Sequence, residues 1–259
     1  MSPRIAAFGD THLAHLARLD KFRGDEDRLL GWADHLEAMH DRIVLLGDLY
    51  QTDYGGRPGS RSEVLARAIE RWPRISARWR EPPYVALFGN HDRVLAQARG
   101  AREEVLLEEG GRRLWFVHGH QFDPLVRDGG HAPWVTWSIG GMRRLGLRLA
   151  GDFLEESLFA FLQGVARPLG APDRTGVAAL RDGRADVVVM AHTHRTRWRA
   201  GGHGVYANPG GCLDGTLRYA SIDVTGRVVE IRRLTAGGPL EVVHRARMHA
   251  ATPTTADAA

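Results

Sequence analysis

The sequence predicts an α/β protein, since short apolar runs typical of strands alternate with stretches of helical periodicity. The strand-like runs are 5–8, 43–46, 84–88, 114–117 and 187–190. They are continuously apolar, as in strands that are buried on both faces. Each is followed within a few residues by glycine, histidine or aspartate. This order predicts a sheet core flanked by helices.

Helical patterns connect the first three runs. Apolar residues between 29 and 40 repeat at helical spacing, and those between 65 and 72 do so until Pro73 interrupts the pattern. Near the end of the chain, the stretches 217–224 and 228–234 flank a Thr-Gly-Arg turn and predict a β-hairpin.

We find no repeat and no clear linker. We therefore expect one domain over residues 1–250, and a disordered tail over the small, polar stretch 251–259.

Composition is typical of a soluble globular protein. The chain has 259 residues, 43% hydrophobic and 25% charged, with a net charge of +4 and a pI near 9.7. Lys21 is the only lysine, and a positive charge made of arginine is typical of a GC-rich bacterial genome. The single cysteine, Cys212, excludes an internal disulfide and fits a reducing compartment. Because no run resembles a signal peptide or a membrane span, we expect a cytoplasmic protein.

Polar side chains follow all five strand-like runs. The tips read GDTH at 9–12, GDL at 47–49, GNHD at 89–92, HGH at 118–120 and HTH at 192–194. One such tip is ordinary turn material. Open α/β sheets place their sites at the carboxyl ends of strands, so five in succession predict a functional site there.

The side-chain types indicate a metal site. Asp, His and Asn offer oxygen and nitrogen donors that suit Mn²⁺, Fe or Zn²⁺ better than Ca²⁺. Cysteine is absent from every tip, which argues against a structural zinc site. Asp10 and His12, and likewise His192 and His194, would point to one side if the backbone is extended. The donors suffice for two metals with one shared carboxylate, and two metals about 3.5–4 Å apart form a clamp for displacement at phosphorus.

The series of blocks resembles the calcineurin-like metallophosphoesterase superfamily. Its blocks D-x-H, G-D, G-N-H-D/E, H and G-H-x-H occur here in the same order over 10–194, with Ala191 where glycine is commoner. The resemblance implies a four-layer αββα sandwich of two mixed sheets between helical layers, with the site at the strand tips. It also implies two divalent metal ions, most often manganese and otherwise iron or zinc. A metal-bound hydroxide would then hydrolyse phosphoric esters or pyrophosphates.

The resemblance also implies a role for each tip residue. The first metal would be held by Asp10, His12, Asp48 and His194. Asp48 would bridge to the second metal, which would also take Asn90, His118 and His192. His91 would face the substrate as a general acid or as a donor to a phosphoryl oxygen, and Asp92 would orient it. Arg93 and His120 are candidates for substrate binding, although Arg93 can equally be an ordinary surface arginine.

The helical, apolar stretch of about 124–183 predicts an insert in this framework. Trp134, Trp137, Met142, Leu145 and Leu149 would share one helical face, with Arg143 opposite, and a second stripe runs over 154–165. Two interpretations stay open: helices that pack on the core or on a neighbouring subunit, or a cap over the site.

As a cap, the insert would hold the apolar part of an amphiphilic substrate, while its arginines contact an anionic membrane surface at the inner face of the membrane. This layout is similar to that of the UDP-2,3-diacylglucosamine pyrophosphatases, whose helical cap occupies the same interval and holds acyl chains. That family reads HGD followed by a cysteine, whereas this chain reads HGHQFD over 118–123. The relation is therefore one of layout.

Other functions remain as alternatives. The stretches GDLYQTD and GNHD differ from the GDxVDRG and GNHE of protein phosphatases and disfavour that branch. A nuclease or nucleotide phosphodiesterase would keep the metal blocks, but the arginines are scattered and give no strong nucleic-acid signal. An inert scaffold with this fold would normally lack some ligands, and none is missing here. The oligomeric state is open.

Overall fold

The computed structural model describes residues 3–54, 60–124, 126, 133–147, 149–151, 153–154, 170–213, 215–235 and 237–248. The tail for which we predict disorder lies outside these residues. So do most of the second apolar stripe of the insert and the side chain of Trp134.

Strands and helices alternate along the first half of the chain, and strands dominate the second. The strands of the described part are β1 (Arg4–Phe8), β2 (Arg42–Leu45), β3 (Tyr84–Ala86), β4 (Glu104–Glu109), β5 (Arg112–Val117), β6 (Val187–Val189), β7 (Arg197–Gly201), β8 (Gly204–Asn208), β9 (Leu217–Asp223), β10 (Val228–Leu234) and β11 (Leu240–Arg247). The helices are α1 (Glu26–Met39), α2 (Arg61–Arg71), α3 (Pro73–Arg78), α4 (Val94–Arg99), α5 (Pro133–Arg144) and α6 (Ala171–Arg181).

The strands form two mixed sheets. The first has the order β11-β10-β9-β1-β2-β3, in which β1, β2 and β3 run parallel and β9 to β11 are antiparallel to their neighbours. The second has the order β4-β5-β6-β8-β7, in which β5, β6 and β8 run parallel. All five strands that end in the chemically distinctive tips are parallel strands, and β8 is a sixth parallel strand without such a tip.

Alternation along β1 shows how the layers form. Ile5 and Ala7 join the apolar core between the two sheets, while Ala6 and Phe8 face the helices on the outer side of the first sheet. On the far side, α6 packs on the second sheet around Trp115. Strands buried on both faces explain the continuous apolar runs. The predicted four-layer αββα sandwich is confirmed.

The predicted elements agree with the structure where the apolar pattern was strong. All five strand-like runs are strands, the hairpin is β9–β10, and Pro73 stands at the first position of α3, where its missing N–H costs nothing. The strands β4, β7, β8 and β11 were not predicted. Both β4 and β11 carry exposed charged residues, so their sequences lack the continuous apolar run of a buried strand.

The structure differs from the predicted insert in two places. Helix α6 forms the fourth layer on the second sheet, so this part of the predicted segment belongs to the sandwich. Helix α5 ends at Arg144, so Leu145 and Leu149 lie beyond it and do not continue one helical face. No helix among the described residues combines the length and the apolar character needed to cross a bilayer.

Helix α5 packs against loops of the sandwich. Its Ile139 forms a small apolar cluster with Ala14, Leu19 and Tyr54. Arg143, expected on the outer polar face, is instead 5% exposed: it donates a 2.8 Å hydrogen bond to the Tyr54 hydroxyl and lies over the Tyr54 ring. The prediction that Arg143 rests on a membrane surface is therefore wrong, because its guanidinium anchors α5 to the sandwich.

Candidate metal centre

The tips of β1, β2, β3, β5 and β6 meet at one edge of the sandwich. Within the first sheet, the Asp10 amide donates to the Gly47 carbonyl at 3.0 Å. Between the sheets, the His192 amide donates to Asp10 Oδ2 at 3.1 Å and His118 Nδ1 donates to the Leu46 carbonyl at 2.8 Å. Side chains that are far apart in sequence are therefore joined at the seam between the two sheets.

The backbone at these tips is left-handed rather than extended. Positive φ angles occur at Asp10 (54°), His12 (48°), Asp48 (51°), His192 (70°) and His194 (55°). The extended alternation assumed from the sequence is therefore wrong at both pairs. Such a backbone costs a residue other than glycine roughly 1–2 kcal/mol. Strain of this kind persists where the surrounding structure holds it and is concentrated at functional sites.

Four donors form a first cluster, in which one ligand atom from each lies within 4.8 Å of the others; they are Asp10, His12, Asp48 and His194. The Nε2 atoms of His12 and His194 are only 2.9 Å apart, so both imidazoles aim at one point. Asp10 Oδ1 lies 3.7 Å from His194 Nε2, and Asp48 Oδ2 lies 3.9 Å from His12 Nε2. The structure thus brings together the four residues predicted for the first metal.

Four donors meet in the same way on the other side of Asp48. His118 Nε2 lies 3.4 Å from Asp48 Oδ2 and 3.3 Å from Asn90 Oδ1. Asn90 Oδ1 in turn lies 3.0 Å from His192 Nδ1. These are the residues predicted for the second metal, and Asp48 belongs to both groups. We refer to them as the first and second clusters.

The first cluster fits a divalent cation in its donor chemistry. Asp10 Oδ1 is buried and has no hydrogen-bond partner among the described residues, which is costly for a carboxylate oxygen unless a cation satisfies it. His12 Nδ1 can donate to Gln51 Oε1 at 2.9 Å, which leaves the Nε2 lone pair for a metal. Burial lowers the pKa of His194 to about 3 and that of His12 well below its usual range, so both imidazoles are neutral, as metal ligands must be.

The carboxylates are electrostatically linked. Burial raises the pKa of Asp10 to about 7, and the nearby charge of Asp48 adds to the effect. Burial would also raise the pKa of Asp48, but His118 and His91 outweigh it and hold it well below its usual range. Two buried carboxylates with oxygens within 4.8 Å of each other favour a positive charge between them.

His91 lies beside the clusters and is oriented by Asp53, from the loop after β2. Its Nδ1 donates to Asp53 Oδ2 at 3.1 Å, and the side-chain Nε2 of Gln51 lies 3.1 Å from the same ring atom. Its Nε2 is 4.0 Å from Asp48 Oδ2. Burial opposes protonation of His91, but the charges of Asp48 and Asp53 outweigh it and raise the pKa.

The sequence led us to expect that Asp92 orients His91, but the structure places its carboxylate elsewhere. Its two oxygens accept four backbone N–H groups, those of Gly89 (2.7 Å), Asp48 (3.2 Å), Leu49 (2.7 Å) and Tyr50 (3.3 Å). The carboxylate therefore ties the loop after β3 to the loop after β2. A Cβ on Gly89 would lie 2.1 Å from Asp48 Oδ1, so the Asp48 carboxylate occupies space that only glycine leaves open.

Three neighbours of the predicted ligands were not assigned a role from the sequence. They are Gln51, Asp53 and Asp123. Asp123 Oδ2 lies 2.9 Å from His192 Nε2, so it turns the Nδ1 atom toward Asn90. Gln51 and Asp53 follow the GDL block, and Asp123 follows the HGH block. These residues could have been found as polar residues within five positions of a tip. Spacing alone does not distinguish them from ordinary loop residues.

The two candidates for substrate binding differ in placement. Arg93 is half-buried and donates to the Val126 carbonyl at 3.0 Å, which links the start of α4 to the segment after β5. His120 is buried beside His118, with ring centres 5.3 Å apart, and burial lowers its pKa to about 3. Of these two contacts, the one between His120 and His118 involves a residue of the clusters. The assignments of Arg93 and His120 to substrate binding stay predictions.

Comparisons with known proteins identify the family. Residues 3–196 match the family model described as calcineurin-like phosphoesterase. A search of curated sequences finds no significant match. Similar solved structures include Yfce, a phosphoesterase from E. coli (16% identity, 95% of this chain and 100% of the other, TM-score 0.48). Others are a Vps29 single mutant from Entamoeba histolytica (14%, 95% and 99%, 0.48) and an archaeal phosphodiesterase (15%, 90% and 99%, 0.42).

The family match covers all five tips, and the structure gathers the tip residues into donor clusters suited to divalent cations. The protein is a phosphoric ester hydrolase that belongs to the calcineurin-like phosphoesterase family.

Proposed function

We propose that the centre holds two divalent cations, with manganese the first candidate, and hydrolyses a phosphoric ester or pyrophosphate of a small molecule. One observation carries the dinuclear assignment: Asp48 Oδ2 lies 3.9 Å from a nitrogen of the first cluster and 3.4 Å from a nitrogen of the second. No other carboxylate of the described residues stands between the clusters in this way. When bound, the cations would supply positive charge that polarises the phosphoryl group.

The residues of the chain would position and protonate the substrate. His91 Nδ1 donates to Asp53, so Nε2 is the ring atom directed toward the clusters. A proton on Nε2 can be donated to a phosphoryl oxygen or to the leaving oxygen. Asp53 stabilises the protonated ring, and its own charge is balanced by Arg61 at 2.7 Å. His91 and Asp53 therefore form the acid–base pair that the sequence had assigned to His91 and Asp92.

The test is hydrolysis by the metal-reconstituted protein of four substrate types: a generic diester, a generic monoester, UDP-linked sugars and single-stranded DNA. We expect hydrolysis of the generic diester that depends on added Mn²⁺. Asp10→Asn, prepared in parallel, should lack the activity because it replaces the buried carboxylate oxygen for which the described residues offer no hydrogen-bond partner. Preferential cleavage of DNA would favour the nuclease alternative. Equal rates for wild type and Asp10→Asn would refute the proposed centre.

We further propose that the insert binds the apolar part of an amphiphilic, nucleotide-linked or lipid-linked substrate. Large apolar side chains are exposed just after α5: Leu145 (80%), Leu149 (85%) and Phe153 (73%). Helix α5 itself packs on the loops that follow His12 and Asp48, through contacts with Leu19 and Tyr54. The exposed apolar residues are thus attached beside the metal centre, where an amphiphile could place its phosphate and its apolar part together.

The variant Leu145→Ser/Leu149→Ser/Phe153→Ser tests this part, since exposed residues can be changed without opening the core. Turnover of a small chromogenic diester should stay within about twofold of wild type, while KM for a lipid-linked diphosphate should rise about 10-fold or more, given roughly 1–3 kcal/mol for each buried apolar side chain. Equal effects on both substrates would contradict the assignment. Sedimentation with anionic vesicles, with and without the substitutions, tests the predicted peripheral membrane contact.

A further inference from the structure

A cavity of about 380 Å³ lies on the outer side of the first sheet, beside its edge strand β3. Its walls come from β3, from the end of α3 with the turn that follows it, and from the end of α4. None of the donors of the two clusters lines this β3 cavity, so it is separate from the metal centre. Ligand-binding pockets commonly measure about 300–1,000 Å³, so a small organic molecule fits in this volume.

The floor of the β3 cavity is apolar. It consists of residues that belong to the core between the first sheet and its helices, among them Leu45, Tyr50, Trp79, Tyr84, Ala86 and Leu95. The rings of Tyr50 and Trp79 pack edge to face, with their centres 6.3 Å apart. The Tyr50 hydroxyl is bonded to Ser76 Oγ at 2.6 Å, so its polar atom is already satisfied. Such a floor suits the apolar body of a ligand.

The rim of the β3 cavity carries an excess of positive charge. It is formed by three arginines and one acid, namely Arg80, Arg99, Arg102 and Glu81. The guanidinium of Arg99 is held in place, because Nη1 donates to the Ser76 carbonyl at 3.2 Å and the group lies over the Tyr50 ring, 5.8 Å from its centre. Arg99 is half-buried, and a guanidinium has five N–H donors, so donors remain for a ligand.

The charge of this rim is not neutralised by the part of the chain that the structure describes. No carboxylate there lies within ion-pair distance of the three rim arginines. A neighbouring arginine of α3 shows the contrast, since Arg78 lies 2.7 Å from both Asp34 and Glu37. The planar fork of an unpaired guanidinium binds carboxylate and phosphate groups well. The rim and the floor together therefore match the two parts of an organic anion.

We infer that the β3 cavity is a second ligand site, which binds a small organic anion with its apolar body on the floor and its carboxylate or phosphate group on the arginine rim. The inference is independent of the proposed function, because it uses no donor of the metal centre and no catalytic step. Binding at this site can therefore be measured whether or not the protein hydrolyses any substrate tested.

The indole resonance of Trp79 reports on the β3 cavity, because Trp79 lines it. The Zn²⁺-loaded protein, with ¹⁵N in its seven tryptophans, is titrated with 2-naphthoate, and Trp79→Phe identifies the resonance. We expect a saturable shift of this resonance. The neutral analogue 2-naphthamide should have a dissociation constant about 10-fold higher or more, because it offers the arginines no charge. A Trp79 resonance that does not move, or equal affinity for the two probes, would overturn the inference.

Arginine variants test the polar part of the site. Arg99→Met should raise the dissociation constant of 2-naphthoate about 10-fold or more, as expected for loss of a hydrogen bond to a charged group. Because Arg99 also contacts Ser76, the exposed pair Arg80→Met/Arg102→Met gives a second measurement that leaves the core untouched. It should raise the constant about two- to fivefold, in line with the weaker effect of exposed charges.

Arg199→Met, at an exposed arginine of β7 in the second sheet, is the matched control and should leave the dissociation constant unchanged. A constant that stays at the wild-type value in both rim variants, or that rises equally in Arg199→Met, would refute the assignment of the arginine rim.

Discussion

The strand tips and the insert are held in different ways. At the tips, five residues with a left-handed backbone are fixed by hydrogen bonds between strands and between sheets, and their side chains are buried except for that of His194, which is 30% exposed. Among the described residues, the part of the insert around α5 contacts the sandwich through Ile139 and through arginine contacts to Tyr54. Five large apolar side chains between residues 145 and 154 are exposed. The difference indicates a rigid centre for the chemistry and an adjustable segment for the rest of the substrate.

The largest effect should come from Asp48→Asn, because Asp48 is the residue that the two clusters share. A neutral amide can still accept the His91 amide hydrogen bond of 2.8 Å, but it lacks the charge that faces both clusters. We expect bound metal to fall well below that of wild type and activity to fall by more than about 10²-fold. Mutation of a residue that only hydrogen-bonds to a metal ligand already lowers metal affinity or activity by about 10–100-fold. Elemental analysis and diester hydrolysis measure the two effects.

Asp173→Asn is the control for loss of a buried carboxylate elsewhere. Asp173 accepts a hydrogen bond from the Tyr206 hydroxyl on the outer side of the second sheet and belongs to neither cluster. Its variant should be less stable yet retain its metal. An Asp48→Asn protein that keeps two metals per chain and most of its activity would show that Asp48 does not bridge.

A smaller effect, confined to turnover, is expected at His91. His91→Ala should keep its metal and lose about 10²–10⁴-fold in kcat, because the proton donor is removed while every donor of the two clusters remains. Asp53→Asn should show a milder loss of about 10–100-fold, since the ring remains but loses its charged partner. Loss of metal from His91→Ala would place His91 among the ligands. If Asp92→Asn lowered kcat as much as Asp53→Asn does, without loss of stability, Asp92 would be the residue that orients His91.

The sequence was sufficient for the part of the molecule that is tied to the sheets. Continuous apolar runs located five of the six parallel strands. The side chains at the ends of these five, Asp10 and His194 among them, come together because parallel strands end at one edge. The identity of each ligand group followed from the family resemblance. The backbone conformation did not, because a left-handed turn at Asp10 or His192 depends on hydrogen bonds to other tips.

The orienting residue of His91 could not be predicted for the same reason. Asp92 is adjacent in sequence, but its side chain turns to the amides of the neighbouring loop, whereas Asp53 reaches His91 from another strand tip. In the insert, helical periodicity showed an apolar face and a polar face but not the partner of each. The buried position of Arg143 depends on the Tyr54 ring and hydroxyl, which no local pattern reveals.

The attachment of the insert can be tested through Arg143→Met. This change keeps an unbranched chain in place of the apolar stem of the arginine but removes the hydrogen bond to the Tyr54 hydroxyl and the charge over the ring. We therefore expect a loss of about 2–3 kcal/mol in the free energy of unfolding. Chemical denaturation measures it. Arg67→Met, which removes an exposed ion pair within α2, should cost about 0.5 kcal/mol or less. Equal losses in both variants would mean that Arg143 does not anchor α5.

The smallest effect concerns the frame that carries the tips, and it appears as a pH dependence of stability. His40 at the end of α1 donates from Nδ1 to the Leu36 carbonyl at 3.0 Å and contacts the Ser221 hydroxyl on β9 through Nε2 at 2.9 Å. Burial lowers its pKa from 6.5 to about 4. The folded state therefore holds the neutral ring, and its stabilising contribution is complete above pH 6.5 and is lost as the pH falls toward 4.

For this single group the loss between pH 7 and pH 5 is about 2 kcal/mol, because the unfolded chain takes up a proton that the folded chain excludes. His40→Gln keeps a side chain that can bond to both partners but cannot be protonated in this range. Its unfolding free energy should therefore fall less steeply than that of wild type between pH 7 and pH 5. His203→Gln, at an exposed turn after β7, should follow the wild-type curve. Parallel curves for His40→Gln and wild type would show that the folded protein accommodates a protonated His40 between α1 and β9. The packing of α1 on the first sheet would then be looser than the burial of His40 indicates.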